Sequence, residues 1–262
     1  MDERLKSKNL YLLDMDGTLY FDETPIDGAL DFMKSLERRG CDFVYMTNNS
    51  SKSADDYIKK LERIGFPAGP EHMFTSGQAT CQYLNSVHPG ARVYVVGTES
   101  LKNELRKSGF TVIEDGSLAV DILLIGYDTE LTYQKLKDAC NYLCEGVPYY
   151  ATNPDVVCPA PGGRYLPDCA TMCYMLEKAT GRTPMYIGKP RKEMALSAVA
   201  FKNSTPDKAV LVGDRLYTDI KCGLNADILT VLVLSGESTV ADIEKFDIHP
   251  DIIANSVKDL IF

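Results

Sequence analysis

The chain has no tryptophan and only three histidines among its 262 residues. His88 and His249 each precede a proline, and His72 lies in a loop-like stretch. No histidine therefore stands ready to serve a serine or cysteine nucleophile. Basic residues are in deficit, with Lys plus Arg at 28 against Asp plus Glu at 37, a formal charge of -9. That balance lacks the clustered cations that grip a nucleic-acid backbone, and no basic amphipathic stretch suits a membrane surface. The eight cysteines contain no C-x-x-C. Cys140/Cys144 and Cys169/Cys173 sit four apart and would share helix faces, but no suitably spaced His or Cys pair completes a tetrahedral metal set. They read as buried, reduced thiols. Long apolar runs are missing too. Ala226 to Leu234 is interrupted by Asp227 and Thr230 and is too short for a bilayer. Met1 to Lys6 is charged and offers no signal-peptide core. The expectation is a soluble, cytoplasmic protein with neither nucleic-acid nor membrane partners.

What is present is an alternation. Hydrophobic residues make up 45% of the chain, enough for one large core or two modest ones. Leu10 to Leu13 is a short apolar run, followed by Leu30, Met33 and Leu36 at helical spacing, stopped by Gly40. Phe43 to Met46 is a second run, and Tyr57, Ile58, Leu61 and Ile64 share one helix face, stopped by Gly65. Strand, helix, strand, helix predicts a parallel sheet with crossover helices, an α/β fold. Further strand candidates are Val93 to Val96, Ile122 to Ile125, Met185 to Ile187, Ala209 to Val212 and Ile228 to Leu234. Gly- and Pro-bearing seams near Phe66 to Gly77 and Lys178 to Pro184 bracket a stretch with its own alternation. It fits either one continuous sheet or an inserted domain.

Chemistry gathers just after the strand candidates. Leu12-Leu13-Asp14-Met15-Asp16-Gly17-Thr18 places two carboxylates at i and i+2, on one side of an extended chain. D-x-D-G-T arises by chance in roughly a few per thousand chains of this length. Its plain reading is an Asp-Gly turn. Its sharper reading is a pair of acids at the carboxyl end of a parallel strand, where α/β sheets bind ligands. Tyr45-Met46-Thr47-Asn48-Asn49-Ser50-Ser51 ends a strand in a hydroxyl and amides ahead of a helix start, the makings of an anion site or of a helix cap. Gly188-Lys189-Pro190 follows an apolar strand, an awkward place for a solvated ammonium. Thr183 and Pro190 rule out a G-x-x-x-x-G-K-[ST] phosphate loop there. Gly213-Asp214 ends another strand, with Asp219 five residues on.

Local charge decides what such a site can hold. Asp14, Asp16, Asp214 and Asp219 stand against Lys189 alone. At about 4 Å and an effective dielectric near 20, each like-charged pair costs about 4 kcal/mol. The cluster needs a cation to stay ionised, and hard oxygen ligands select Mg²⁺. A bound dication makes a phosphate acceptable in turn.

The ordered set DxDGT, strand–Thr, Gly-Lys and GDxxxxD resembles the haloacid dehalogenase superfamily, over essentially the whole chain. The long insertion, with Tyr94-Val95-Val96-Gly97 and Ala151-Thr152-Asn153-Pro154-Asp155, resembles the large α/β cap of the NagD-like, para-nitrophenyl-phosphatase branch. The resemblance implies a Rossmann-like core over 1–78 and 180–262 and an inserted α/β cap over 79–179. It implies Asp14 as nucleophile, Asp16 as acid and base, and Thr47 with the Asn48 backbone on the phosphoryl group. Lys189 would offset negative charge, and Asp14, the Asp16 main-chain carbonyl and Asp214 would hold Mg²⁺, with Asp219 organising from outside. Asn49 joins the phosphate-binding set. Asn153 and Asp155 of the cap are candidates for contact with the leaving group, as is the stretch Pro161 to Arg164. The implied activity is hydrolysis of small soluble phosphomonoesters, such as sugar phosphates or nucleoside monophosphates, through an aspartyl phosphate. Asp16 argues for phosphoester hydrolysis, since family dehalogenases and phosphonatases lack it. A phosphotransferase or mutase on the same core, a non-catalytic phosphate-binding protein and a receiver-like module are the alternatives. The receiver needs only about half this length and no second catalytic carboxylate. The partner is then a small-molecule phosphate ester, and the sequence leaves room for a homo-oligomer.

Overall fold

Leu10–Leu13 is apolar at every position and every one of its side chains is buried, the mark of a strand covered on both faces. In the computed structural model, which describes residues 2–160 and 164–262, this strand, β1, lies inside a six-stranded sheet. A short ribbon of β2 (Tyr20–Phe21) and β3 (Thr24–Pro25) follows it. Then come α1 (Ala29–Arg38), β4 (Asp42–Thr47), α2 (Ala54–Arg63), β5 (Met73–Thr75) and α3 (Ser76–Val87). The middle of the chain runs β6 (Arg92–Val96), α4 (Glu99–Lys107), β7 (Thr111–Ile113), β8 (Ile122–Ile125), α5 (Tyr133–Cys144) and β9 (Tyr149–Ala151). Next are the hairpin of β10 (Val157–Ala160) and β11 (Arg164–Pro167), then α6 (Cys169–Thr180) and β12 (Met185–Tyr186). The last part is α7 (Lys192–Phe201), β13 (Ala209–Gly213), α8 (Lys221–Asn225), β14 (Leu229–Val233), α9 (Val240–Phe246) and β15 (Ile252–Ala254).

The chain forms two compact units. The first comprises Met1–Thr47, Ala54–Phe74 and Lys189–Phe262; the second comprises Asn48–Ser53 and Thr75–Gly188. Strand order in the first sheet is β15-β14-β13-β1-β4-β5, and β1 pairs in parallel with both β4 and β13. The order reverses at β1, so the loops leaving β1 and β13 border the crevice where such sheets bind ligands. Tyr11 and Leu13 point into one buried cluster with Phe32, Met33 and Leu36 of α1. Tyr11 meets Phe32 edge-on at 5.9 Å.

The second unit has its own parallel sheet, in the order β12-β9-β8-β6-β7. Alternation along β8 explains its two faces. Leu123 and Ile125 pack with residues of α5 and α6, whereas Ile122 and Leu124 pack with residues of α3 and α4. It is a layered α/β unit with a core on each side of the sheet.

One strand is not where the motif order alone would put it. Met185–Tyr186 reads as a strand of the core domain, within the segment beginning at 180. It pairs instead with β9 of the second sheet. Apolar character marks a strand but does not say which sheet it joins, and both sheets here are parallel and buried. The thiols differ as well, since Cys144 is exposed and Cys140 and Cys158 are half-buried. Pro161 to Gly163, singled out as a site entrance, lie outside the described residues, and Arg164 beside them is exposed. No helix among the described residues is long and apolar enough to cross a membrane.

Candidate active site

The Asp14 amide continues the ladder of β1 by donating to the Val212 carbonyl of β13 at 2.9 Å. After it the chain turns sharply. Gly17, at φ +83°, takes the left-handed conformation that side chains disfavour, and the Leu19 amide closes on the Met15 carbonyl at 2.8 Å. Asp14 is thereby left half-buried, while Asp16 stands exposed on the outside of the turn. One acid is held within the fold and the other reaches solvent.

Lys189 is enclosed, with 4% of its side chain exposed. Its Nζ donates to Asp14 Oδ1 at 2.5 Å, to Asp219 Oδ1 at 2.6 Å and to the Met46 carbonyl at 3.4 Å. Asp219 sits in a π-helical turn, Leu216–Ile220, whose Ile220 amide reaches back to Arg215 O at 3.2 Å. Such widened turns recur at functional sites. The other Asp219 oxygen accepts the Arg215 amide at 3.1 Å.

Asp214 is buried. Its Oδ2 accepts the Glu237 amide at 2.8 Å, and its Oδ1 meets the Thr18 hydroxyl at 3.4 Å. One ligand oxygen from each of Asp14, Asp214 and Asp219 lies within 4.8 Å of the others. Burial, and then the charge of Asp219, raise the Asp14 carboxyl well above the usual carboxylate range. The same causes push Asp214 up to about 7. For Lys189, burial opposes the charge, but Asp14 and Asp219 outweigh it and hold the ammonium protonated. One ammonium thus faces three carboxylates, so Asp14 and Asp214 resist full ionisation unless a further cation joins them. Hard oxygens in such a cluster fit a divalent cation. Asp16, expected to lend its main-chain carbonyl, supplies none of the three carboxylates; Asp219, expected outside, lies among them but is engaged with Lys189.

Thr47 ends β4 and is buried. Asn48 is buried in the second unit. Its carbonyl accepts the Ser76 hydroxyl at 2.6 Å and the Asn153 amide at 2.7 Å, and its own side-chain amide donates to Asp155 at 3.2 Å. Asn153 is fully buried, and its oxygen takes the Asp155 amide at 3.0 Å. The Asn49 oxygen accepts both the amide and the hydroxyl of Ser51. Asn49 is thus tied into its own loop, while Asn153 and Asp155 are also tied to Asn48. A loop not anticipated from sequence, Ser235 to Ser238 after β14, closes on Asp214 and Gly17. Ser235 Oγ donates to the Gly17 carbonyl at 2.8 Å, and the Ser238 amide donates to the Asp214 carbonyl at 3.2 Å. The available signal was Ser235-Gly236 directly after an apolar strand, which marks a turn and nothing more.

Residues 11–111 match the family model of haloacid dehalogenase-like hydrolases, and residues 186–260 match a HAD-hydrolase-like model. An acid sugar phosphatase of Staphylococcus aureus is 34% identical over 98% of this chain and 96% of its own. The chain belongs to the haloacid dehalogenase-like hydrolases. The structure of a 4-nitrophenylphosphatase from Thermotoga maritima superposes with a TM-score of 0.93 at 35% identity, covering 99% of this chain and 98% of that one. A glycerol phosphate phosphatase from Mycobacterium tuberculosis, solved with calcium, gives a TM-score of 0.91 at 30% identity, covering 99% of this chain and 76% of that one. The fold is accordingly the Rossmann-like core with an inserted α/β cap that this family's resemblance implied, and the chain is an enzyme of the family's phosphatase kind.

Proposed function

We propose that this haloacid dehalogenase-like hydrolase is a Mg²⁺-dependent, cytoplasmic phosphatase acting on small soluble phosphomonoesters through an aspartyl phosphate. The observation that carries the reading is the single ammonium of Lys189 set between Asp14 and Asp219, with Asp214 completing the acidic cluster.

Asp14 is the nucleophile. A carboxylate oxygen attacks phosphorus, the bond from phosphorus to the ester oxygen breaks, and the phosphoryl group passes to Asp14. Asp16, exposed on the turn, gives its proton to the departing oxygen and then takes one from the water that cleaves the acyl phosphate. Phosphate leaves and both acids return to their starting forms. Thr47 and the Asn48 backbone hold the transferring group. Lys189 favours the ionised form of Asp14 against the effect of burial and offsets charge on the phosphoryl oxygens. Asp14, Asp214 and the Asp16 carbonyl would hold Mg²⁺, which supplies charge neutralisation for the phosphoryl group. Asp219 serves by orienting Lys189. The insertion is read as the cap that selects the leaving group, with Asn153 and Asp155 as its candidate residues, and Asn49 stands with the phosphate-binding set. The names of the relatives, acid sugar phosphatase and glycerol phosphate phosphatase, support a sugar or polyol phosphate as substrate.

The test is release of inorganic phosphate from a panel of phosphorylated metabolites, ranked by kcat/KM, with Mg²⁺ and with chelator. Sugar and polyol phosphates should lead, chelator should abolish turnover, and Asp14→Asn should be inactive. Substantial turnover by Asp14→Asn overturns the nucleophile. Transfer to a second sugar without phosphate release makes the enzyme a phosphotransferase.

A further inference from the structure

The Asp214 carboxylate lies in a slot walled by two glycines from different loops. A Cβ on Gly17 would stand 2.6 Å from Asp214 Oδ2, and one on Gly236 would overlap the same oxygen outright. The Gly236 Cα itself comes within 3.2 Å of where that Gly17 Cβ would be. Between these walls, Oδ2 takes the Glu237 amide at 2.8 Å. The slot is fastened at both ends. Ser235 Oγ holds the Gly17 carbonyl at 2.8 Å, and Ser238 Oγ accepts the Leu216 amide at 3.1 Å. An ion pair of Arg215 with Glu237 at 2.9 Å lies across the same two loops.

We propose that the Ser235–Ser238 loop is a positioning element for the divalent cation. It clamps the Asp214 carboxylate through Oδ2 and ties the Asp14–Gly17 turn to it, presetting the distance between two cation ligands. The inference rests on the metal reading given above and deepens it. The physical argument is preorganisation. A carboxylate free to rotate must be ordered when the ion binds, and that cost is subtracted from affinity. Here the rotamer is held beforehand by one charge-assisted amide bond and by two glycine backbones packed against the carboxylate. Gly236 is the key residue, because its missing side chain is the space that Asp214 occupies. Ser235 is the second, because it alone among the loop's side chains reaches the nucleophile's turn.

The test uses the full chain and Mg²⁺ alone, titrated by calorimetry without substrate. Gly236→Ala should weaken Mg²⁺ binding at least tenfold. Ser235→Ala should weaken it about threefold or more, and Ser235→Thr, which keeps the hydroxyl, should restore it. Should Gly236→Ala fail to fold, the Ser235→Ala and Ser235→Thr pair decides. Variants that bind Mg²⁺ within twofold of a wild type that binds it overturn the loop's role and leave the metal reading intact. A wild type that binds no Mg²⁺ overturns the metal reading and the loop's role with it.

Discussion

Lys189 Nζ lies 2.6 Å from Asp219 Oδ1, and both side chains are almost wholly enclosed, at 4% and 1% exposure. Neither charge has water to fall back on. Removing one partner strands the other, which in a buried pair costs about 3–5 kcal/mol. Lys189→Met should therefore lower unfolding free energy by about that amount, measured by urea titration. Phosphate release by the variant should fall at least a thousandfold. A variant as stable as wild type would show that the buried pair contributes no net stability.

Gly213 ends β13 directly against Asp219, and a Cβ there would overlap the Asp219 side chain. Gly213→Ala must push that carboxylate away from Lys189. Overpacking of this kind costs about 1–3 kcal/mol. The expected signature is a lower kcat with little change in KM, since Thr47 of β4, proposed to hold the phosphoryl group, is untouched. Steady-state kinetics on 4-nitrophenyl phosphate reads it directly.

Asn153 is fully buried and holds the Asn48 carbonyl in company with Ser76. Asn153→Ala leaves the carbonyl one donor and exposes the Asp155 amide to an unfilled space, a loss of about 1–3 kcal/mol. Ser76→Ala alone should cost less, because Asn153 remains. Thermal unfolding of the two single variants and the double variant should show coupling between them, with the double more damaged than the sum.

Thiol reactivity follows burial. Burial pushes Cys81 and Cys222 up to about 12, so at pH 8 both remain protonated and unreactive. Cys144 is exposed on α5. Brief treatment of the native protein with iodoacetamide should label Cys144 first, with Cys81 and Cys222 reacting only after unfolding. Peptide mapping by mass spectrometry gives the order.

Much of this was readable from residues alone. Leu10 to Leu13 and Phe43 to Met46 are apolar throughout, and a strand buried on both faces has no other way to look. Asp14 and Asp214 directly follow β1 and β13 of the first sheet, at the strand ends where open α/β sheets bind ligands. Sheet membership was not readable. Met185–Tyr186 carries no mark of its partner, and it joined β9. The engagement of Asp219 by Lys189 was hidden too, since it depends on a π-helical turn that residue spacing does not announce. The Ser235–Ser238 loop acts on Asp214 chiefly through main-chain amides and a missing side chain, and neither is written in residue chemistry.

Leu10 of β1 pairs with Ala209 of β13, so the first sheet waits for a partner that a ribosome delivers late. Every residue of the second unit, up to Gly188, emerges before β13 does. Closing so long a loop carries an entropic penalty that grows with its length. The second unit lowers it. A Cβ on Gly188 would lie 2.6 Å from the Asn48 side chain, so once that unit folds, the chain segments leaving it at Asn48 and Gly188 are already side by side. The loop joining the halves of the first sheet is then short in effect, whatever its length in residues. A released chain ending at Gly188 should carry a protease-resistant second unit while β1 and β4 await the strand that completes them.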